Sequence, residues 1–236
     1  FVVPFLIYAL ITNIFTQEFM NIDSNSNKSF LIIIYALATS TLQSLSGACL
    51  LYMLITFKQN NLINIPLVTE LFKKRFKSLT ILAIMTSILL ISPMVLLSFL
   101  APYRQTSLPQ ALLIGSITLI CFLALVPISA FSYFVLIRFI KTQCKSIIKT
   151  FKEQLYFCIT EYPLCLRWIC VTMFLNLFTF FTYLIATNFI IESIIIAIVK
   201  AITLTVTMIF SYLFYNQIIV TNRVTRSSSQ TKNNNF

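Results

Sequence analysis

The sequence predicts an all-α, polytopic transmembrane bundle, and three observations carry that prediction. Apolar residues make up 58% of the 236-residue chain and charged residues only 10%, with a mean hydropathy of +0.91. Soluble domains run at about 45–50% and about 25% respectively, so this composition cannot build a water-facing surface. The apolar residues also fall in long unbroken runs rather than alternating, which selects spanning helices over a barrel. Within hydrocarbon a helix satisfies its own backbone polar groups. Finally, the few cations crowd the ends of these runs, where they set orientation.

Six spans are visible in the order 1–15, 30–57, 79–101, 110–137, 168–190 and 194–220, forming one domain over 1–220. The first opens at Phe1 inside an apolar run, with neither the basic start nor the small-residue cleavage site of a signal peptide. It reads as a span cut short. The polar loop Thr16–Ser29 holds the only sequon, Asn27-Lys28-Ser29, a glycan acceptor if it faces outward. In the second span Ala36, Ser40, Ser44 and Gly47 recur at helical spacing, and such small residues let helices approach closely in lipid. A basic loop, Lys58–Ser78, precedes the third span, which Pro93 should kink or interrupt. The turn Pro102–Pro109 leads into the fourth span, which contains Pro127.

The bridge Arg138–Arg167 sets six cations against Glu153 and Glu161. Lys141, Lys145, Lys149 and Lys152 share a face, so the fourth span is expected to continue as an amphipathic helix that contacts anionic lipid or docks a cytoplasmic partner. Cys158 and Cys165 lie close enough to the bilayer for palmitoylation. The fifth span starts at Trp168, read as an interfacial aromatic. The connection Ile191-Glu192-Ser193 is short, so the sixth span must return antiparallel beside the fifth. The polar segment 221–236 reads as a disordered tail.

Counted by alternate sides, fourteen of the seventeen cations fall on one side, from Lys58–Ser78, the bridge and the tail. The positive-inside rule makes that side cytoplasmic, with both the visible start and the C-terminus inside and Asn27 outside. The net charge of +11 is accounted for by this placement, and nucleic acid is not an expected partner.

Candidate ligand-binding residues come from two polar stripes. Thr172, Asn176, Thr179, Tyr183 and Thr187 recur on one face of the fifth span; Lys200, Thr203, Thr207 and Ser211 do so on the sixth. Folding one span back on the other levels Tyr183 with Lys200 and Asn176 with Thr207. Polar side chains avoid lipid, so the stripes should face inward, for packing or for a ligand. Lys200 is the one ionisable residue well inside a span. It lies roughly 9 Å from the outer end at about 1.5 Å per residue, so it either serves a function within the bundle or snorkels to the interface.

The loop Asn60–Lys77, with Ile65-Pro66-Leu67 followed by a basic run, resembles the loop after the third helix of rhodopsin-like receptors and, more loosely, of nematode serpentine chemoreceptors. The segment Val220–Arg226 is similar to their juxtamembrane stretch after the last helix. The departures are Lys58-Gln59-Asn60 where an acidic-Arg-Tyr triplet would stand, Phe214-Tyr215-Asn216-Gln217 in place of Asn-Pro-x-x-Tyr, and no Trp-x-Pro. The resemblance implies seven helices in the intact protein, one lying upstream of Phe1, and a plasma-membrane location. It also implies an external small-molecule ligand near Gln43, Ser44, Asn176, Thr179, Tyr183, Thr187, Lys200, Thr203 and Thr207. A heterotrimeric G protein would meet Lys73, Lys74, Arg75, Lys141, Lys145, Lys149 and Lys152.

The alternative is a six-helix transporter or channel subunit with Lys200 and Asn176 on its path, although only two glycines are present to break helices. An enzyme is not expected. There is no His, and Glu18, Asp23, Glu70, Glu153, Glu161 and Glu192 are scattered among loops, with no acid–base pair and no metal or cofactor site.

Overall fold

The structure, a computed structural model, describes residues 1–20, 28–100, 108–142, 146–185 and 189–233. Seven helices carry these residues: α1 (Val3–Met20), α2 (Lys28–Asn60), α3 (Ile65–Leu100), α4 (Leu108–Thr142), α5 (Ile147–Thr160), α6 (Tyr162–Ile185) and α7 (Phe189–Asn233). No strand occurs among them. The chain is an all-helical, multi-pass membrane protein. Within the described residues, α2, α3, α4 and α7 are long and apolar enough to cross a bilayer. A fifth crossing results if α5 and the first part of α6, bent by 88° at their junction, act together; the apolar part of α1, Val3–Thr12, is shorter.

The helices form a closed ring in chain order. α1 packs on α2, α2 on α3, α3 on α4, α4 on α6, α6 on α7 and α7 back on α1, while α2, α4 and α7 also touch across the middle. At that centre Gly47 lets α2 approach: a Cβ there would stand 3.2 Å from Met208 Cε and 3.5 Å from Leu136 Cδ2. The small-residue face of α2 thus meets α4 and α7, as close helix packing in lipid requires.

Several boundaries differ from the sequence expectation, each for a local reason. Lys58–Ser78 is helical except around 61–64. α2 stops at Asn61, which takes a left-handed φ of 55° and donates its N–H to Phe57 O at 2.8 Å, a conformation Asn tolerates. α3 restarts at Asn64, whose Oδ1 accepts from Leu67 N at 3.1 Å. Pro66 sits in the first turn, where no N–H partner is needed. Ile65-Pro66-Leu67 is therefore a helix start, not a loop.

The helix continues through both Pro93 and Pro127 without interruption. The bridge is not an extension of α4: α5 is a separate helix, N-capped by Ser146, whose Oγ accepts from Lys149 N at 3.3 Å. Ile191-Glu192-Ser193 lies inside α7 rather than between spans. The backbone of 221–233, expected to be disordered, continues α7, since extending a helix is easier than nucleating one and no Gly or Pro intervenes.

Trp168, read as an interfacial aromatic, does not present its ring to the outside of the bundle. It is buried against Tyr133 and Phe134, with ring centroids 5.1 and 5.7 Å away, and its indole N–H donates to Ser211 Oγ at 2.9 Å. A buried indole is stable in such a place because its single donor finds a partner.

Candidate functional site

The polar residues of α1, α2, α4 and α7 converge on one cluster inside the ring. Tyr8 on α1 donates its hydroxyl to Gln43 Oε1 at 3.3 Å, and Gln43 Nε2 donates to the Tyr133 hydroxyl at 3.2 Å. One amide on α2 thereby ties α1 to α4. Lys200 on α7 points at α1: its Nζ donates to Thr12 Oγ1 at 3.4 Å and stands 5.1 Å from the centre of the Tyr8 ring. Tyr35 Oη donates to Thr12 O at 3.2 Å, joining α2 to the same corner. Lys200 is therefore engaged within the bundle rather than snorkelling.

Beside Gln43 lies a cavity of about 160 Å³, walled on one side by Phe5, Leu90, Leu136 and Met208 and on the other by hydroxyls. Four of those hydroxyls are already committed as donors. Ser44 Oγ donates to Ser40 O at 3.0 Å, Thr86 Oγ1 to Ala83 O at 2.9 Å, Ser129 Oγ to Leu125 O at 2.6 Å and Ser132 Oγ to Ser129 O at 2.7 Å. A hydroxyl that donates to its own helix keeps its lone pairs. The wall thus offers mainly acceptors, plus the hydroxyl hydrogen of Tyr133, which already accepts from Gln43. Among the described residues no charged side chain lines the cavity. It suits a small, uncharged molecule with hydrogen-bond donors, well below the range of about 300–1,000 Å³ typical of drug-sized pockets.

The two stripes do not act as one surface. Asn176 and Thr207 share a second cavity between α4, α6 and α7, together with Thr172. Lys200 is turned toward α1, and Ser211 is taken up by Trp168. Thr203 is buried within α7. The side chains of Thr179 and Tyr183, and Thr187 altogether, lie outside the described residues, as do Asn27 and Lys145. Gln43 and Ser44 both line the central cavity. Tyr8, Ser129, Ser132 and Tyr133 escape the stripe pattern, although Ser129, Ser132 and Tyr133 recur at helical spacing just after Pro127 and so carry the same signal.

No family model matches the chain, and neither a curated protein nor a solved structure is detectably similar to it. Its chemistry therefore rests on its own residues.

Most of the described basic residues gather at one end of the bundle. Arg75 donates from Nη1 to Phe139 O at 3.3 Å and lies over the Phe139 ring, so it fastens α3 to α4. Lys141 bonds Asn216 Oδ1, and Arg138 pairs with Glu153, joining α4 to α7 and α5. Lys73, Lys74, Lys149 and Lys152 are exposed. Phe1 packs edge-on against Phe57, which places the start of α1 at this end. Opposite the exposed face of α5, its buried line of Thr150, Gln154 and Cys158 faces the bundle, and Tyr215 Oη donates to Gln154 Oε1 at 3.1 Å. Among the described residues no three Cys, Asp or Glu side chains converge as a metal site requires.

Proposed function

We propose that this chain is a chemosensory G-protein-coupled receptor of the plasma membrane, with its basic end and C-terminus in the cytoplasm. The observation that carries this reading is the central cavity at Gln43 and Tyr133, reached by five helices of a ring closed in chain order. A small uncharged ligand donating to Ser44, Ser129 and Ser132 and accepting from Tyr133 draws on the same hydroxyl that Gln43 holds and so reorients it. It thereby shifts α4 relative to α1 and α2. Signalling is then a change in the population of two helix packings, biased by the ligand's differential affinity.

At the other end the same α4 carries Arg138 and Lys141, whose contacts reach α5 and α7. Movement of α4 alters how the exposed Lys73, Lys74, Lys149 and Lys152 are presented to a cytoplasmic G protein. Acidic partner surfaces are drawn to such a cluster by long-range attraction, which raises association rate more than affinity.

The test is a screen of small alcohols, amides and ureas in cells expressing the chain, read by nucleotide exchange on co-expressed G proteins. The expected result is a response lost in Tyr133→Phe and in Gln43→Ala while surface expression is kept. A response that survives both substitutions defeats the proposal. So does ligand-independent accumulation of a labelled solute, which is the mark of a transporter.

A further inference from the structure

The second cavity, about 380 Å³ between α4, α6 and α7, lies across Tyr133 from the central one and shares Ser129 and Tyr133 with it. Its rim is formed by Met173 and Leu177, which are 58% and 45% exposed on the outside of α6 beside the equally exposed Phe174. In a spanning bundle that outer surface faces acyl chains, so the cavity opens sideways toward lipid rather than toward water.

Its inner wall is polar but uncharged. Thr207 is fully buried, and its hydroxyl has no hydrogen-bond partner. That is unusual in this helix, where Thr205 and Ser211 donate to the carbonyls of Ala201 and Thr207 at 2.7 and 2.6 Å. A buried orphan hydroxyl in a native interior calls for an explanation. Asn176 spends one N–H on Thr172 O at 2.7 Å, which leaves its carbonyl as an acceptor. Lys200, the nearest candidate counter-ion on α7, is turned to Thr12 instead.

We infer that this cavity binds an uncharged, membrane-borne amphiphile, such as a long-chain alcohol, whose apolar body lies along Ile169, Met173 and Leu177 and whose hydroxyl meets Thr207 and Asn176. The volume falls within the range of about 300–1,000 Å³ of ligand pockets. Met173 supplies a side chain that adapts to irregular apolar shapes. Among the described residues no cation lines the cavity, which disfavours a carboxylate or phosphate headgroup. Because the occupant touches Tyr133, it presses on the same side chain that Gln43 holds from the other side, but the site itself does not depend on receptor activity.

The experiment uses the chain reconstituted in nanodiscs and a hexadecanol analogue carrying a mid-chain diazirine. Photolabelling is expected on peptides of α6 and α7 that border the cavity, competed by hexadecanol but not by hexadecane or hexadecanoate. Thr207→Val should weaken hexadecanol competition by a factor of about 2–10, the net worth of one hydrogen bond. Met173→Trp, at a position exposed enough to accept bulk without unfolding, should fill the mouth and remove the labelling. Equal competition by hexadecane and hexadecanol, or labelling indifferent to Met173→Trp, overturns the proposal.

Discussion

The Tyr162 hydroxyl donates to the carbonyl of Leu123 at 3.4 Å, four residues before Pro127. That carbonyl is the one Pro127 leaves without a backbone donor. The arrangement recurs at Pro93, where Ser92 Oγ donates at 2.9 Å to Leu89 O, again four residues before the proline. Both spans therefore pass through a proline without a break because a hydroxyl replaces the missing N–H, a need that hydrocarbon makes acute.

Tyr162 should accordingly matter only while Pro127 is present. In nanodiscs, Tyr162→Phe is expected to cost about 0.5–1.5 kcal/mol, the net value of a hydrogen bond. In a Pro127→Ala background the alanine N–H serves Leu123, and the same substitution should be close to neutral. A double-mutant cycle on thermal unfolding measures the difference. Equal losses in the two backgrounds rule the account out.

Gln43 is the hinge of the polar cluster, since it accepts from Tyr8 and donates to Tyr133 with one side chain. Gln43→Leu keeps the bulk but withdraws both bonds, so destabilisation of roughly 1–3 kcal/mol is expected. Tyr133→Phe removes one acceptor and leaves the amide its bond to Tyr8, so its cost should be smaller, about 0.5–1.5 kcal/mol. Unfolding of the two variants in the same detergent gives the ranking, and the reverse order would place the strength of the cluster elsewhere.

Much of this was legible in the sequence because membrane chemistry writes strong signals. The apolar runs mark the helices, and the cations of α3, α4 and α5 mark a common end that Arg75–Phe139 and Lys141–Asn216 contacts assemble. Asn176 and Thr207, placed on inward faces by helical spacing, do line one cavity, although Glu192, the expected turn that would level them, lies inside α7. Less legible was whatever depends on azimuth. Lys200 and Thr207 lie on one stripe of α7, yet one meets α1 and the other borders α6, because a helix in a closed ring has neighbours on two sides. Helix ends were also obscured, since a polar segment such as Ile65–Ser78 helps form a helix outside the bilayer as readily as a loop, and the deciding caps at Asn61 and Asn64 are single residues.

Burial separates two contacts that hold α5. Gln154 and Tyr215 are both buried, so Gln154→Leu takes away the acceptor of the Tyr215 O–H, although its oxygen keeps Arg138, and should cost about 1–3 kcal/mol. Arg138 and Glu153 retain side-chain exposures of 28% and 40%. Such a pair contributes only about 0–1 kcal/mol, and less in high salt. Glu153→Gln should therefore shift thermal unfolding less than Gln154→Leu does, and raising ionic strength should narrow only the former's effect. A larger loss at Glu153 would show that the ion pair is screened from water far better than its exposure implies.

Orientation follows from the same cations. Translocating a lysine-rich hairpin across a bilayer is disfavoured, so the end bearing Lys73 and Lys152 should remain inside. In a Cys170→Ser background, chosen because Cys170 is an exposed native thiol, Lys73→Cys and Lys152→Cys should resist an impermeant maleimide on intact cells and react once the membrane is opened. The sequon at Asn27 is expected to face outward by the positive-inside count, so Asn27→Gln should abolish a glycan-dependent shift in gel mobility. The two readouts are independent, one chemical and one biosynthetic. Rapid labelling of either cysteine from outside, with no sugar on Asn27, would invert the bundle and turn the central cavity's acceptor wall toward the opposite compartment.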